Sequence, residues 1–104
     1  MNVVVEPKVY DTLWTFYKQS MIKYPSLELS KVHEIMDHLG KEMHDFGFYA
    51  HIFHRIPYKD DWKQLGYYEF LSGDFHFAYK IEMRMNGELF VHIYDVVHST
   101  LNHN

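Results

Sequence analysis

The chain contains no cysteine. That excludes a disulfide framework, a thiolate zinc site and a cysteine nucleophile together. No apolar run approaches the roughly 20 residues that a membrane-spanning helix needs. The opening Met1-Asn2-Val3-Val4-Val5-Glu6-Pro7 has neither the basic start nor the apolar stretch of a secretory signal. A cytoplasmic location without membrane association is the expectation. Positive charge is also scarce: ten Lys and Arg face fourteen Asp and Glu, a net charge of −4 with His neutral. That argues against nucleic-acid binding through bulk charge. There is no Gly-rich phosphate loop, no G-x-S-x-G, no dinucleotide fingerprint and no HExxH. No cofactor is expected. Repeats, low-complexity tracts and linkers are absent too. Residues 1–47 and 48–104 each carry five basic and seven acidic side chains, so neither half is a basic arm. One domain over residues 1–104 follows.

What the chain does have is apolar and aromatic mass. Hydrophobic residues make up 47% of its 104 residues and aromatics 18%, enough to build a core without covalent staples. Asn2 to Glu6 holds three consecutive Val and reads as a strand. Pro7 suits the first turn of a helix. Tyr10, Leu13, Trp14, Tyr17, Met21 and Tyr24 then mark one helical face, which stops before Pro25. Ser26 is a candidate N-cap. Val32, Ile35, Met36, Leu39, Met43 and Phe46 form a second stripe, with Gly47 as the expected C-terminal glycine. Two such helices joined by a short turn form a helical hairpin.

The remainder reads as a sheet. Phe48 to Arg55 is rich in aromatic and Ile residues and is expected to be a strand; residues 56–64 form a loop. Leu65 to Leu71 is a second strand, ended by Ser72-Gly73-Asp74. Phe75 to Met85 alternates, Asn86-Gly87 signals a two-residue hairpin turn, and Glu88 to Val97 returns. That turn pairs Met83 with Phe90, Ile81 with His92, Tyr79 with Tyr94 and Phe77 with Val96. The aromatic face then packs on the helices. The opposite face shows Val91, Ile93 and Val97, an apolar surface fit for a protein partner. The last strand, apolar on both faces, belongs in the centre. The expected fold is α+β, with order β-α-α-β-β-β and an antiparallel sheet under a helical hairpin.

Nine histidines raise the question of metal. His33 with Asp37, Glu34 with His38, and His38 with Glu42 are spaced i, i+4, which suits a solvated helix face better than a metal site. His51 and His54 point to opposite faces of a strand. His103 is expected to fray, and His92 falls on the aromatic face as a core histidine. No metal ligand is assigned, and a His-dependent metal-binding domain stands as a third reading. His76 and His98 are of more interest, because both lie toward one edge of the hairpin, Phe75 being opposite His98. Histidine is the natural acid/base near neutral pH. The register sends the two side chains to opposite faces, so a bulge or fraying is needed to bring them together. Arg55, Lys59, Lys63 and Lys80 are candidate phosphate or substrate-binding cations. Asp60-Asp61 reads as a solubilising pair.

The element order, with Leu65-Gly66-Tyr67-Tyr68-Glu69-Phe70-Leu71, Gly73-Asp74-Phe75-His76-Phe77-Ala78-Tyr79-Lys80-Ile81 and the strand Val91 to His98, resembles the RelE/ParE superfamily of bacterial toxins from toxin–antitoxin modules. The resemblance covers nearly the whole chain. It implies a toxin-like protein with a cognate antitoxin as partner. In the RelE-like branch it implies ribosome-dependent mRNA cleavage without metal, the 2′-hydroxyl attacking the adjacent phosphate. His98 then matches the C-terminal His, and with His76 it would be catalytic. His76 and Leu71 stand where that pattern carries Arg, so two fixed positive donors are missing. The ParE-like branch implies instead a non-enzymatic binder of gyrase or another protein target, or a diverged protein-interaction domain. Oligomeric state is left open.

Overall fold

The computed structural model describes residues 1–99. The elements are β1 (Asn2–Val5), α1 (Pro7–Lys23), α2 (Leu29–Asp45), a short 3₁₀ turn (Phe46–Phe48), α3 (Asp60–Gln64), β2 (Tyr68–Ser72), β3 (Phe75–Met83) and β4 (Leu89–His98). This is an α+β fold in which helices pack on a four-stranded sheet of order β1-β4-β3-β2. Strand β4 is central, as its apolar residues on both faces require. The three C-terminal strands are antiparallel, but β1 runs parallel to β4, so the sheet is mixed. A parallel neighbour needs a crossover, and the chain returns beside β1 only after α1, α2, α3, β2 and β3.

Local chemistry sets most boundaries. Pro7 opens α1, where its missing N–H costs nothing. The second helix starts after Glu28 rather than at Ser26. The buried side of α1 is turned relative to the expected stripe: Val9 and Leu13 are fully buried and Phe16 packs beside them, whereas Tyr24 is exposed. On α2 the buried residues are Val32, Leu39 and Met43. Leu39 and Met43 share one core cluster with Phe75, Phe77, Tyr79, Val91, Ile93 and Val96 of the sheet. Each such fully buried side chain contributes roughly 1.5–3 kcal/mol relative to exposure. Gly47 lies in the 3₁₀ turn and is there for space, not for a left-handed helix end. A Cβ at this position would sit 2.1 Å from the Met1 carbonyl oxygen, and the Met1 nitrogen donates to the Gly47 carbonyl at 2.9 Å.

The expected strand over Phe48 to Arg55 does not form. The 3₁₀ turn and the turns after it occupy residues 46–52, and only an isolated bridge from Arg55 to Glu69 remains. Aromatic and Ile richness matched a strand, but these side chains point outward instead of alternating. Residues 60–64, expected as loop, form the helical turn α3, whose Trp62 is 1% exposed.

The hairpin register is corrected in its outer half. The chain turns through three residues, Met85 to Gly87, with Gly87 at φ 87° and the Arg84 N–H donating to the Glu88 carbonyl at 2.8 Å. This is the three-residue loop ending in a left-handed Gly, not the two-residue turn. Met83 therefore pairs with Leu89, Ile81 with Val91 and Tyr79 with Ile93. A bulge at Tyr94 absorbs the one-residue slip, and Phe77 with Val96 and Phe75 with His98 pair as expected. The faces of the outer half of β4 are thereby exchanged. Val91 and Ile93 are wholly buried under the helices, while His92 and Tyr94 lie on the second face. The second face is not bare either. Trp62 reaches it, its Nε1 donating to Asp95 Oδ2 at 3.2 Å, and Tyr67 stacks on Tyr94 with centroids 5.2 Å apart.

Candidate functional site

The second face of the sheet holds a buried carboxylate. Glu69 of β2 is opposite Ala78, whose small side chain leaves room for it, and it is 0% exposed. A lone carboxylate there would be costly to desolvate, so its partners define the site. Arg55 Nε donates to Oε1 at 3.1 Å, His76 Nδ1 lies 3.0 Å from the same oxygen, and the Tyr58 N–H donates to Oε2 at 3.3 Å. The backbone builds this meeting. The Glu69 N–H donates to the Arg55 carbonyl at 3.0 Å, which draws residues 55–58 along the edge of β2, while His76 comes from the adjacent strand β3.

The arrangement has directional chemistry. A carboxylate facing Nδ1 places the proton there and turns Nε2 outward as the free nitrogen of the ring. His76 Nε2 has no hydrogen-bond partner among the described residues. Arg55 spends its Nε on Glu69, and its side chain is 58% exposed, so the outer guanidinium nitrogens face solvent. The Arg55–Glu69–His76 set thus presents an oriented imidazole and a forked cation side by side, the two kinds of group that phosphate chemistry uses. Beside it a cavity of about 330 Å³ is lined by Phe46, Tyr49, Phe53, Arg55, Glu69 and Leu71.

The other candidate residues are elsewhere. His98 faces the helices, stacked on Phe16 with centroids 4.6 Å apart and edge-on to Phe75 at 5.2 Å. The sheet separates it from His76, as pairing of Phe75 with His98 demands; the Tyr94 bulge does not bring them together. Lys59 lies over the Trp62 ring at 5.3 Å and 3.7 Å from Asp61. Lys63 is 3.6 Å from Asp60, and Lys80 lies over the Tyr67 ring at 5.4 Å. Arg55 and His76 are therefore the two candidates that share a partner, and Glu69 is the residue that sequence reasoning passed over. Its only advance signal was its place as the one charged residue of a strand that also holds Tyr68, Phe70 and Leu71.

A second polar cluster was also missed. His92 Nε2 lies 2.7 Å from Glu6 Oε1 and its Nδ1 lies 2.6 Å from Glu82 Oε1, while the Tyr94 hydroxyl donates to Glu82 at 2.5 Å. The His92 ring stacks on Tyr94 at 3.9 Å. Burial, then the hydrogen bond to Glu82, push the Tyr94 hydroxyl up to about 12. Tyr67 beside it is raised by burial first and then by Asp95, Glu82 and Glu6. Nothing local in the sequence links Glu6 to His92; the parallel β1–β4 pairing does so. Here the imidazole lies between the carboxylates, and among the described residues no group of three or more His, Asp or Glu is placed to hold a metal ion. His103 lies outside the described residues. No described helix is long and apolar enough to cross a membrane.

No protein-family model, curated protein or solved structure matches this chain.

Proposed function

We propose that the chain is a toxin-like component of a toxin–antitoxin module and is held by a cognate antitoxin protein. The observation that carries this reading is an exposed apolar segment. Between Phe48 and Tyr58, six large side chains lie open to solvent: Phe48, Tyr49, Ile52, Phe53, Ile56 and Tyr58. The exposed Leu71 of the edge strand β2 adjoins them along the cavity that also holds Tyr49 and Phe53. Such clustering on a small soluble domain marks a protein-binding surface. The α+β order that prompted the toxin resemblance fits the same reading. Its test is co-purification with the product of the adjacent reading frame, expected to be short and acidic or DNA-binding. Ile52→Asp and Ile56→Asp should each weaken that complex by about tenfold or more, as loss of a central apolar contact does. Undiminished binding by both variants would refute this surface.

A second reading, metal-independent RNA cleavage, is favoured by the Arg55–Glu69–His76 set. In it His76 Nε2 takes the 2′-hydroxyl proton as the 2′-oxygen bonds to phosphorus, the bond to the 5′-oxygen breaks with a proton from water, and Arg55 steadies the phosphate charge. His76→Ala should then relieve growth arrest on induced expression and leave mRNA intact. Persisting arrest with intact mRNA and inhibited supercoiling would instead favour a gyrase-directed binder. His98→Ala separates the two histidines: relief by His98→Ala but not by His76→Ala would move the chemistry to the helix side of the sheet.

A further inference from the structure

On the opposite side of the molecule, the two long helices and the β2–β3 turn enclose a cavity of about 610 Å³. That volume is within the range of small-molecule sites. Its apolar wall is made by Phe16, Tyr17, Phe75 and His98, rings that pack edge-on and stacked against one another. Two features of the wall are polar and without protein partners. Ser72 is 7% exposed, and its Oγ is buried with no hydrogen-bond partner. A buried hydroxyl without a partner costs about 1–3 kcal/mol, so a group that pairs with it gains by binding. Asp74 follows in the turn, and its carboxylate has no hydrogen bond or ion pair among the described residues. The other acids of the rim are engaged, Glu34 with Lys31 at 3.3 Å and Glu42 with His38 at 2.8 Å.

The turn geometry fixes these two groups. Ser72 pairs with Phe75, and Gly73 takes φ 56° while no non-glycine residue has positive φ. This is the pattern of a two-residue type II′ turn with Gly first. Ser72 is held on the helix-facing side next to Phe70 and Phe75, and Asp74 at the mouth. Tyr17 reports the proximity: burial, and then the Asp74 charge, raise its hydroxyl pKa.

We infer that this cavity binds a small aromatic amine. Its ammonium group would pair with Asp74, its ring would lie on the aromatic wall, where a cation is also attracted to ring faces, and a polar group would reach Ser72 Oγ. An anionic ligand is disfavoured, because the only unpaired charge among the described lining residues is a carboxylate.

Three probes of one shape test the idea: tyramine, its neutral analogue tyrosol, and the anionic 4-hydroxyphenylacetate. Titration of the full chain followed by amide chemical shifts should show saturable tyramine binding, with shifts confined to Ser72–Phe75, His98 and the facing parts of α1 and α2. Tyrosol should bind about tenfold more weakly, and 4-hydroxyphenylacetate should not bind. Asp74→Asn, at an exposed turn position, should remove the preference for tyramine over tyrosol. Ser72→Ala should weaken tyramine several-fold while keeping that preference. Absence of saturation, shifts mapping elsewhere, equal affinity for the charged and neutral probes, or an unaltered preference in Asp74→Asn would each overturn the assignment.

Discussion

Glu69 is the residue on which the second face depends. It is wholly buried, and it satisfies Arg55, His76 and the Tyr58 N–H at once. Glu69→Ala removes the acceptor for all three and should cost about 2–4 kcal/mol in urea unfolding. Glu69→Gln keeps the shape but offers one acceptor oxygen, and should fall between Ala and wild type. The tyrosines carry a pH dependence at the alkaline end. Burial raises the Tyr79 hydroxyl to about 12, and Tyr94 is raised to about 12 by burial and by Glu82. The unfolded chain ionises near pH 10, so between pH 10 and about 12 it has lost protons that the folded chain keeps. The stabilisation is complete below pH 10 and disappears as pH rises through about 12. Stability measured across that window should decline, and Tyr94→Phe should make the decline shallower. A slope unchanged by that substitution would remove Tyr94 from the account.

At the scale of elements, α3 is the least expected and the most consequential. Its five residues are too few and too charged to show a helical stripe. Yet Trp62 anchors them on the sheet through Asp95, under the Lys59 ammonium. Trp62→Ala should cost about 3–5 kcal/mol and abolish much of the near-ultraviolet tryptophan signal. A loss under 1 kcal/mol would mean that the segment is not anchored there. The same contrast explains what could be read in advance. Helices α1 and α2 and strand β3 were legible because their patterns repeat within a single segment. Arg55 and His76 could be named as chemical residues from type and neighbourhood. The Tyr94 bulge could not be read, since it answers a three-residue turn several positions away, and it decided which face holds His92. The stretch 48–58 misled because exposed aromatics and buried ones have the same composition. Glu69 was missed because a single acid in an apolar strand becomes informative only once its partners from residues 55–58 and β3 are known.

At the scale of the whole molecule, the sheet is a partition with different chemistry on its two sides. Glu69, Arg55 and His76 occupy one side, and Ser72, Asp74 and the aromatic wall face the helices or border them on the other. Substitutions on opposite sides with no shared partner should combine independently. The stability change of Glu69→Ala with Asp74→Asn should equal the sum of the two single changes to within about 0.5 kcal/mol. A larger coupling in urea unfolding would show that the strands transmit strain between the two sides. Tyramine affinity should likewise be unaffected by His76→Ala, because the His76 side chain lies on the other face of the sheet from Phe75 and His98.

The pairing of β1 with β4 also has a consequence in time. Synthesis produces Asn2–Val5 more than eighty residues before the strand they lie against, from Phe90 to Ile93. Until that strand is made the three valines have no ladder to join, and Glu6 waits equally long for His92. The β2–β3–β4 meander can assemble from neighbouring segments, whereas closing β1 onto it requires contact between the two ends of the described chain. The nascent protein therefore carries an unpaired, β-branched strand until Phe90–Ile93 has been made, and that interval exposes it to aggregation.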